Sequence, residues 1–71
     1  METTTVNDGY FESIGFEETG KKLHVRFSDG RYIVYYEVNN FEYVGLISAN
    51  DMREYYETTI AKQHPHRVMR E

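Results

Sequence analysis

The sequence predicts an α+β fold: a small three-stranded antiparallel β-meander followed by two α-helices packed on the sheet. Three observations carry this. Residues 22–28 alternate apolar and polar side chains, the period of a strand with one buried face. An Asp29-Gly30 pair stands between two β-prone runs, where glycine supplies the positive φ of a tight hairpin turn. Beyond Asn39 the apolar residues recur at three- and four-residue steps instead of two.

Taken in order, "METTTVND" (1–8) reads as a flexible N-terminus, because it is polar and without period. Ser13 to Phe16 forms the first strand and joins the second through "EETGKK", whose Thr19-Gly20 marks a turn. In the second strand Leu23, Val25 and Phe27 fall on one face and His24, Arg26 and Ser28 on the other. The third strand is apolar on both sides, with Tyr32, Val34, Tyr36 and Val38 on one face and Ile33 and Tyr35 on the other. A short helix follows, carrying Phe41, Val44, Leu46 and Ile47, with Asn39 or Asn40 as its cap and Gly45 weakening it slightly. Asp51 and Glu54 have the spacing of an acidic capping box and open a second helix, in which Met52, Tyr55 and Ile60 face the sheet and Tyr56 and Glu57 face solvent. Proline disfavours helical geometry in the residue before it, so this helix ends near His64-Pro65, and residues 65–71 are a tail.

At 71 residues the chain has room for one domain, 1–71, since domains begin at about 50 residues. It is 39% hydrophobic and 15% aromatic, so seven tyrosines and four phenylalanines supply much of the buriable area. There is no cysteine, which removes disulfides and thiolate metal cages and leaves packing to hold the domain. No apolar run is long enough to span a bilayer, and the N-terminus does not resemble a signal peptide. A soluble cytoplasmic protein with no membrane partner is expected. Charge is unevenly spread: residues 1–60 hold five Lys/Arg against eleven Asp/Glu, whereas residues 61–71 hold three against one. An acidic body repels phosphate, so nucleic acid would have to be held by a local patch.

The ordered motifs resemble those of the KTSC domain family, named for its occurrence at the C-terminus of some lysyl-tRNA synthetases and found also as small free-standing proteins. "SIGF" is similar to the family's Ser-Ile-Gly-aromatic opening, "LHVRFSDG" to Leu-x-Val-x-Phe-x-x-Gly, and "YYEV" to Tyr-aromatic-acidic-Val. "FEYVGLISA" resembles Val-Tyr-x-x-Leu-x-x-Ala with Tyr43, Leu46 and Ala49 in register, "YYETTI" resembles Tyr-Phe-Asn-x-x-Ile, and "HPHR" the closing aromatic-Pro-x-x. The likeness covers about residues 6 to 68 and implies an α+β domain with a small antiparallel sheet and two helices. It departs where the family has Ser-x-Gly and this chain has Asp51-Met52-Arg53, where the family has Asn and this chain has Glu57, and where the family's Pro is Asn39. The resemblance implies bacterial or phage origin, with the host-cell cytoplasm as location if phage-encoded.

No catalytic constellation emerges, so an enzyme is not expected, nor a cofactor. The glycines are isolated, and Asp51, Glu54 and Glu57 drift around a helix as a solvated acidic stripe. His64 and His66 flank Pro65 but lack a third ligand at a telling spacing, so no metal is expected. The leading expectation is a non-enzymatic protein-binding module, an inhibitor or adaptor acting through an acidic, tyrosine-rich surface of Tyr35, Tyr36, Glu54, Tyr56 and Glu57. The alternative is an RNA- or single-strand-binding module using Arg26, Arg31 and Arg67. A homodimer through an open sheet edge is a further expectation.

Overall fold

The structure, a computed structural model, describes residues 2–70. Strands β1 (Glu2–Thr5), β2 (Phe11–Glu17), β3 (Lys22–Phe27) and β4 (Tyr32–Tyr35) come first. Helix α1 (Asn40–Ser48) and helix α2 (Met52–Tyr55) follow, the latter running on into a π-helical stretch, Tyr56–Ile60, before strand β5 (His66–Arg70). The fold is α+β as the sequence predicts, but its sheet has five antiparallel strands in the order β1-β2-β3-β4-β5, not three. Both added strands lie in segments whose composition suggested loose ends, 1–8 and 65–71. Neither has an apolar alternation of its own. Each is ordered by the unpaired backbone groups of the neighbouring strand, β2 for β1 and β4 for β5, which need partners once one face is buried.

The hairpin at Asp29-Gly30 forms as expected. Gly30 has φ +99, its N–H donates to the Phe27 carbonyl at 3.0 Å, and the Asp29 carboxylate accepts from the Arg31 N–H at 3.1 Å. Strand β4 ends at Tyr35, earlier than its composition suggests. Glu37 there takes a left-handed φ of +60, which turns the chain so that Val38 enters the core.

Register sorts the side chains. Ile14 lies opposite Val25, and Val25 opposite Ile33; Phe16 lies opposite Leu23, and Leu23 opposite Tyr35. These six residues share the face that the helices cover, and all are buried. A register shift between Phe11 and Ser13 keeps Phe11 opposite Phe27 on the same face, although Phe11 is an odd number of residues from Ile14. Those two rings stack at 5.7 Å. Burying each contributes roughly 2–3 kcal/mol.

The helices are capped as their sequences predict. The Asn39 side chain accepts from the Glu42 N–H while Glu42 reaches back to the Asn39 N–H, a complete capping box, and Asp51 accepts from the Glu54 N–H at 3.1 Å. Helix α1 buries Tyr43 and Leu46 and leaves Phe41 and Val44 exposed, so the expected apolar stripe is half wrong. The Tyr43 ring stacks on Phe16 at 5.0 Å and its hydroxyl bonds the Thr4 hydroxyl at 3.0 Å, which ties β1 to the helix layer. Gly45 is where the helices meet: a Cβ there would stand 2.8 Å from Cζ of Tyr55, so the absence of a side chain admits that ring.

Tyr56 is the principal correction. The sequence reading placed it on the surface, yet it is 6% exposed and its ring meets Phe11, Phe27 and Tyr35 edge-on at 5.5–5.6 Å. Met52, Tyr56 and Ile60 stand at four-residue steps, and that stripe, more than one through Tyr55, points at the sheet. The hydroxyls of Tyr56 and Tyr35 bond each other inside the core, so two polar tips otherwise costly to bury satisfy one another. Burial is the main cause that holds both phenols above their ordinary range, and for Tyr56 the bond to Tyr35 adds to it.

Two outcomes follow from this pair. Tyr35→Phe and Tyr56→Phe each lower unfolding free energy by about 1–2 kcal/mol by stranding the remaining hydroxyl, and the double variant is no worse than either single one, as read by chemical denaturation. Because both folded-state pKa values are raised, stability from these phenols is fully present below the unfolded value near 10 and is lost as pH climbs above it. A pH series of melts should therefore stay flat through neutrality and fall above about pH 10, with the fall removed in the double Phe variant.

Candidate functional site

The face of the sheet away from the helices is set by the same register. Thr3, Gly15, His24, Val34 and Arg67 follow one another across the five strands, and Thr5, Ser13, Arg26, Tyr32 and Arg70 form the next row. At one end Glu17 and Lys22 lie opposite each other. Three arginines, a lysine, a histidine and a tyrosine thus share one surface with two acids, Glu17 at that end and Glu12 beside Ser13 at the β2 bulge. Strands stand about 4.8 Å apart, so Arg26 on β3 and Arg70 on β5 are about 10 Å apart across Tyr32.

Side-chain contacts organise this face. The Arg26 guanidinium lies over the Tyr32 ring, 4.3 Å from its centroid. The Tyr32 hydroxyl is 2.6 Å from Nδ1 of His24. Nε2 of His24 has no hydrogen-bond partner and is shielded from solvent, with the Glu17 carboxylate 3.7 Å away. Val34 is only 4% exposed although it lies on this face, since His24 and Arg67 flank it in register. Lengthy cationic side chains can cover such an apolar patch with their stems and keep their charge in water.

The acids are elsewhere. Between residues 40 and 60 the helix layer carries Glu42, Asp51, Glu54 and Glu57 against Arg53 alone. A shallow groove of about 350 Å³ lies there, lined by Ala49, Asn50, Asp51, Glu54, Tyr55 and Thr58. Asp51, one of the positions at which the chain departs from the family pattern it resembles, lines it, whereas Arg53 and Glu57 do not. Its two carboxylates sit beside the start of α2, the Asp51 side chain serving as the cap, and Glu57 pairs with Arg53 at 3.7 Å.

The structure therefore divides the residues expected to form an acidic, tyrosine-rich surface. Glu54 and Glu57 are exposed on the helix layer, and Tyr36 is partly exposed at the exit of β4, where its N–H donates to the Pro65 carbonyl at 2.8 Å. Tyr35 and Tyr56 are core residues at 3% and 6% exposure and are withdrawn from any surface role. Of the expected cationic set, Arg26 and Arg67 come together on the open sheet face. Arg31 does not join them: it pairs with Asp29 at 2.9 Å and lies over the Phe27 ring at 4.2 Å, which commits it to the hairpin. Tyr32 was missed, although it was detectable from strand alternation, being two residues from Val34 on the same side of β4; Arg70, like Arg67, reaches this face only because β5 pairs with β4.

The two histidines around Pro65 have separate occupations. His64 bonds the Glu42 carboxylate through Nε2 at 2.5 Å, and the His66 ring lies against Tyr35 at 5.3 Å. No group of three or more His, Cys, Asp or Glu side chains able to hold a metal ion occurs among the described residues. No helix among them is long and apolar enough to cross a membrane.

The sequence model of the KTSC domain family matches residues 9–64. In three dimensions the chain is similar to the crystal structure of a KTSC domain protein from Yersinia pestis, with a TM-score of 0.85, 19% sequence identity and 96% of each chain covered. At that identity the likeness is one of fold. No curated protein matches the chain.

Proposed function

Since the chain belongs to the KTSC domain family, and a shared fold leaves function to be argued from the surface, we propose that it is a non-enzymatic binding module for single-stranded nucleic acid, RNA foremost. The ligand lies on the open face of the sheet. The observation that carries this reading is the segregation of charge: Arg26, Arg67 and Arg70 surround Tyr32 on one face, while the acids that make the chain negative overall lie mainly in the helix layer and turns. Net charge therefore understates the attraction this face exerts at close range. The arginines would neutralise backbone phosphates, and the tyrosine ring offers a base a stacking surface worth about 1–3 kcal/mol. The family's occurrence at the end of some lysyl-tRNA synthetases agrees with RNA as ligand by association only.

A protein-binding module, of inhibitor or adaptor type, is the second reading. The exposed side chains of Glu54, Glu57 and Phe41 on the helix layer favour it, and Tyr36 remains available to it. The loss of Tyr35 and Tyr56 to the core places it second. A homodimer, if formed, would pair through β1 or β5, which are the sheet's two edges, and Arg67 and Arg70 on β5 oppose each other's copies there.

Fluorescence anisotropy with a labelled oligouridylate at low salt tests the proposal. The wild-type chain should bind, with affinity falling with salt at a logarithmic slope of about −2, the value for three phosphate contacts on a single strand. The Arg26→Gln, Arg67→Gln, Arg70→Gln triple variant should lose at least about tenfold in affinity and keep its melting temperature, since these side chains lie outside the core. A Glu54→Gln, Glu57→Gln variant should bind at least as well as wild type. Absence of binding at low salt would remove the nucleic-acid reading.

A further inference from the structure

We infer that His24 is a proton-operated positioning residue for the open sheet face, releasing the Tyr32 hydroxyl to donate to a bound anion when its ring becomes protonated. This rests on the single-strand-binding reading above. It adds a regulatory device to that site, namely that the hold on nucleic acid tightens as pH falls.

The inference starts from proton bookkeeping at three atoms. Nδ1 of His24 is 2.6 Å from the Tyr32 oxygen, and Nε2 is shielded from solvent, unpartnered, and 3.7 Å from a Glu17 carboxylate oxygen. A neutral imidazole carries one proton. If that proton were on Nδ1, the shielded Nε2 lone pair would face the Glu17 carboxylate, which is repulsive. The arrangement therefore favours the proton on Nε2, so that Nδ1 accepts from the Tyr32 O–H. The single hydroxyl proton of Tyr32 is then committed inward, and its oxygen presents only acceptor capacity to an anion. On protonation both ring nitrogens become donors. Nδ1–H now donates to the Tyr32 oxygen, the Tyr32 proton is released to point at a phosphate or a base carbonyl, and Nε2–H faces Glu17 as a charge-assisted partner.

The charges around the ring set the coupling. On its own strand stand Lys22 and Arg26; on β2, Glu17, with Gly15 directly opposite the ring and Glu12 farther along beside Ser13; on β4, Tyr32, with Val34 directly opposite; and on β5, Arg67 in the same row with Arg70 beside Tyr32. The four cations oppose a further positive charge, and Glu17 favours it. A bound phosphate tips this balance by screening the arginines, and linkage makes the effect reciprocal: a ligand that favours protonation binds more tightly to the protonated form.

The test is anisotropy with the labelled oligouridylate at about pH 8 and about pH 5.5, on the full chain at constant ionic strength. The wild type is expected to bind about tenfold more tightly at the lower pH. His24→Gln, which has no titrating ring, should bind with little dependence on pH. Tyr32→Phe should lose most of the gain while retaining the fold, checked by its melt. A His64→Gln, His66→Gln control should keep it, because His64 is engaged with Glu42 and His66 lies on the helix-covered face, opposite Tyr35. Measurable binding that does not change with pH, or an unchanged gain in His24→Gln or Tyr32→Phe, overturns the inference and leaves the sheet-face reading standing. No binding at either pH overturns both.

Discussion

Two short helical segments can cover only one face of a five-stranded sheet, and the rest of the molecule follows from that constraint. The covered face must be apolar and dense, so it is built from aromatic rings: Phe11, Phe16 and Phe27 from the strands, Tyr43 and Tyr56 from the helices. The other face must tolerate water along its whole width. Thr3, Thr5 and Ser13 meet that demand on β1 and β2, with Glu17 at one end of β2, and long cationic residues meet it on β3 and β5. The hydrophobic effect thus separates the chain's charges into layers, and a chain of net charge −4 acquires a surface of the opposite sign.

Within the core, the aromatic content creates a polar problem that the fold must solve. A small domain without disulfides gains area quickly by burying tyrosines, but each brings a hydroxyl. Tyr43 disposes of its hydroxyl on Thr4, which recruits β1, and Tyr56 and Tyr35 dispose of theirs on one another. These bonds specify more than they stabilise. They require β4, the π-helical stretch and β1 to meet in one arrangement, since any other leaves a buried hydroxyl without a partner.

How much of this was legible in the sequence depends on which interactions are local. The β2-β3-β4 meander, the Asp29-Gly30 hairpin and the Asn39 and Asp51 caps are decided within a few residues, and each lies where the sequence predicts it. Strands β1 and β5 have no local signal, because the order of "ETTT" and "HRVMR" comes from the strand beside each. The same limit explains the site. Alternation along β3 put His24 and Arg26 on one polar face, but nothing local joins them to Arg67 and Arg70 more than forty residues on. Tyr56 was misread for a different reason: with two adjacent tyrosines, small rotations of the helical stripe exchange core for surface, and the ring's depth was decided by Phe11 and Phe27.

The central claim is that the uncovered face of the sheet is the binding surface. Backbone amide NMR of the isotopically labelled chain, titrated with a short single-stranded RNA, tests it most directly because every strand and helix is read at once. The account predicts shift changes concentrated at residues 24–26, 32–34 and 67–70, with α1 and α2 unmoved. Changes concentrated at residues 49–58, or uniformly absent at millimolar ligand and low salt, would contradict it.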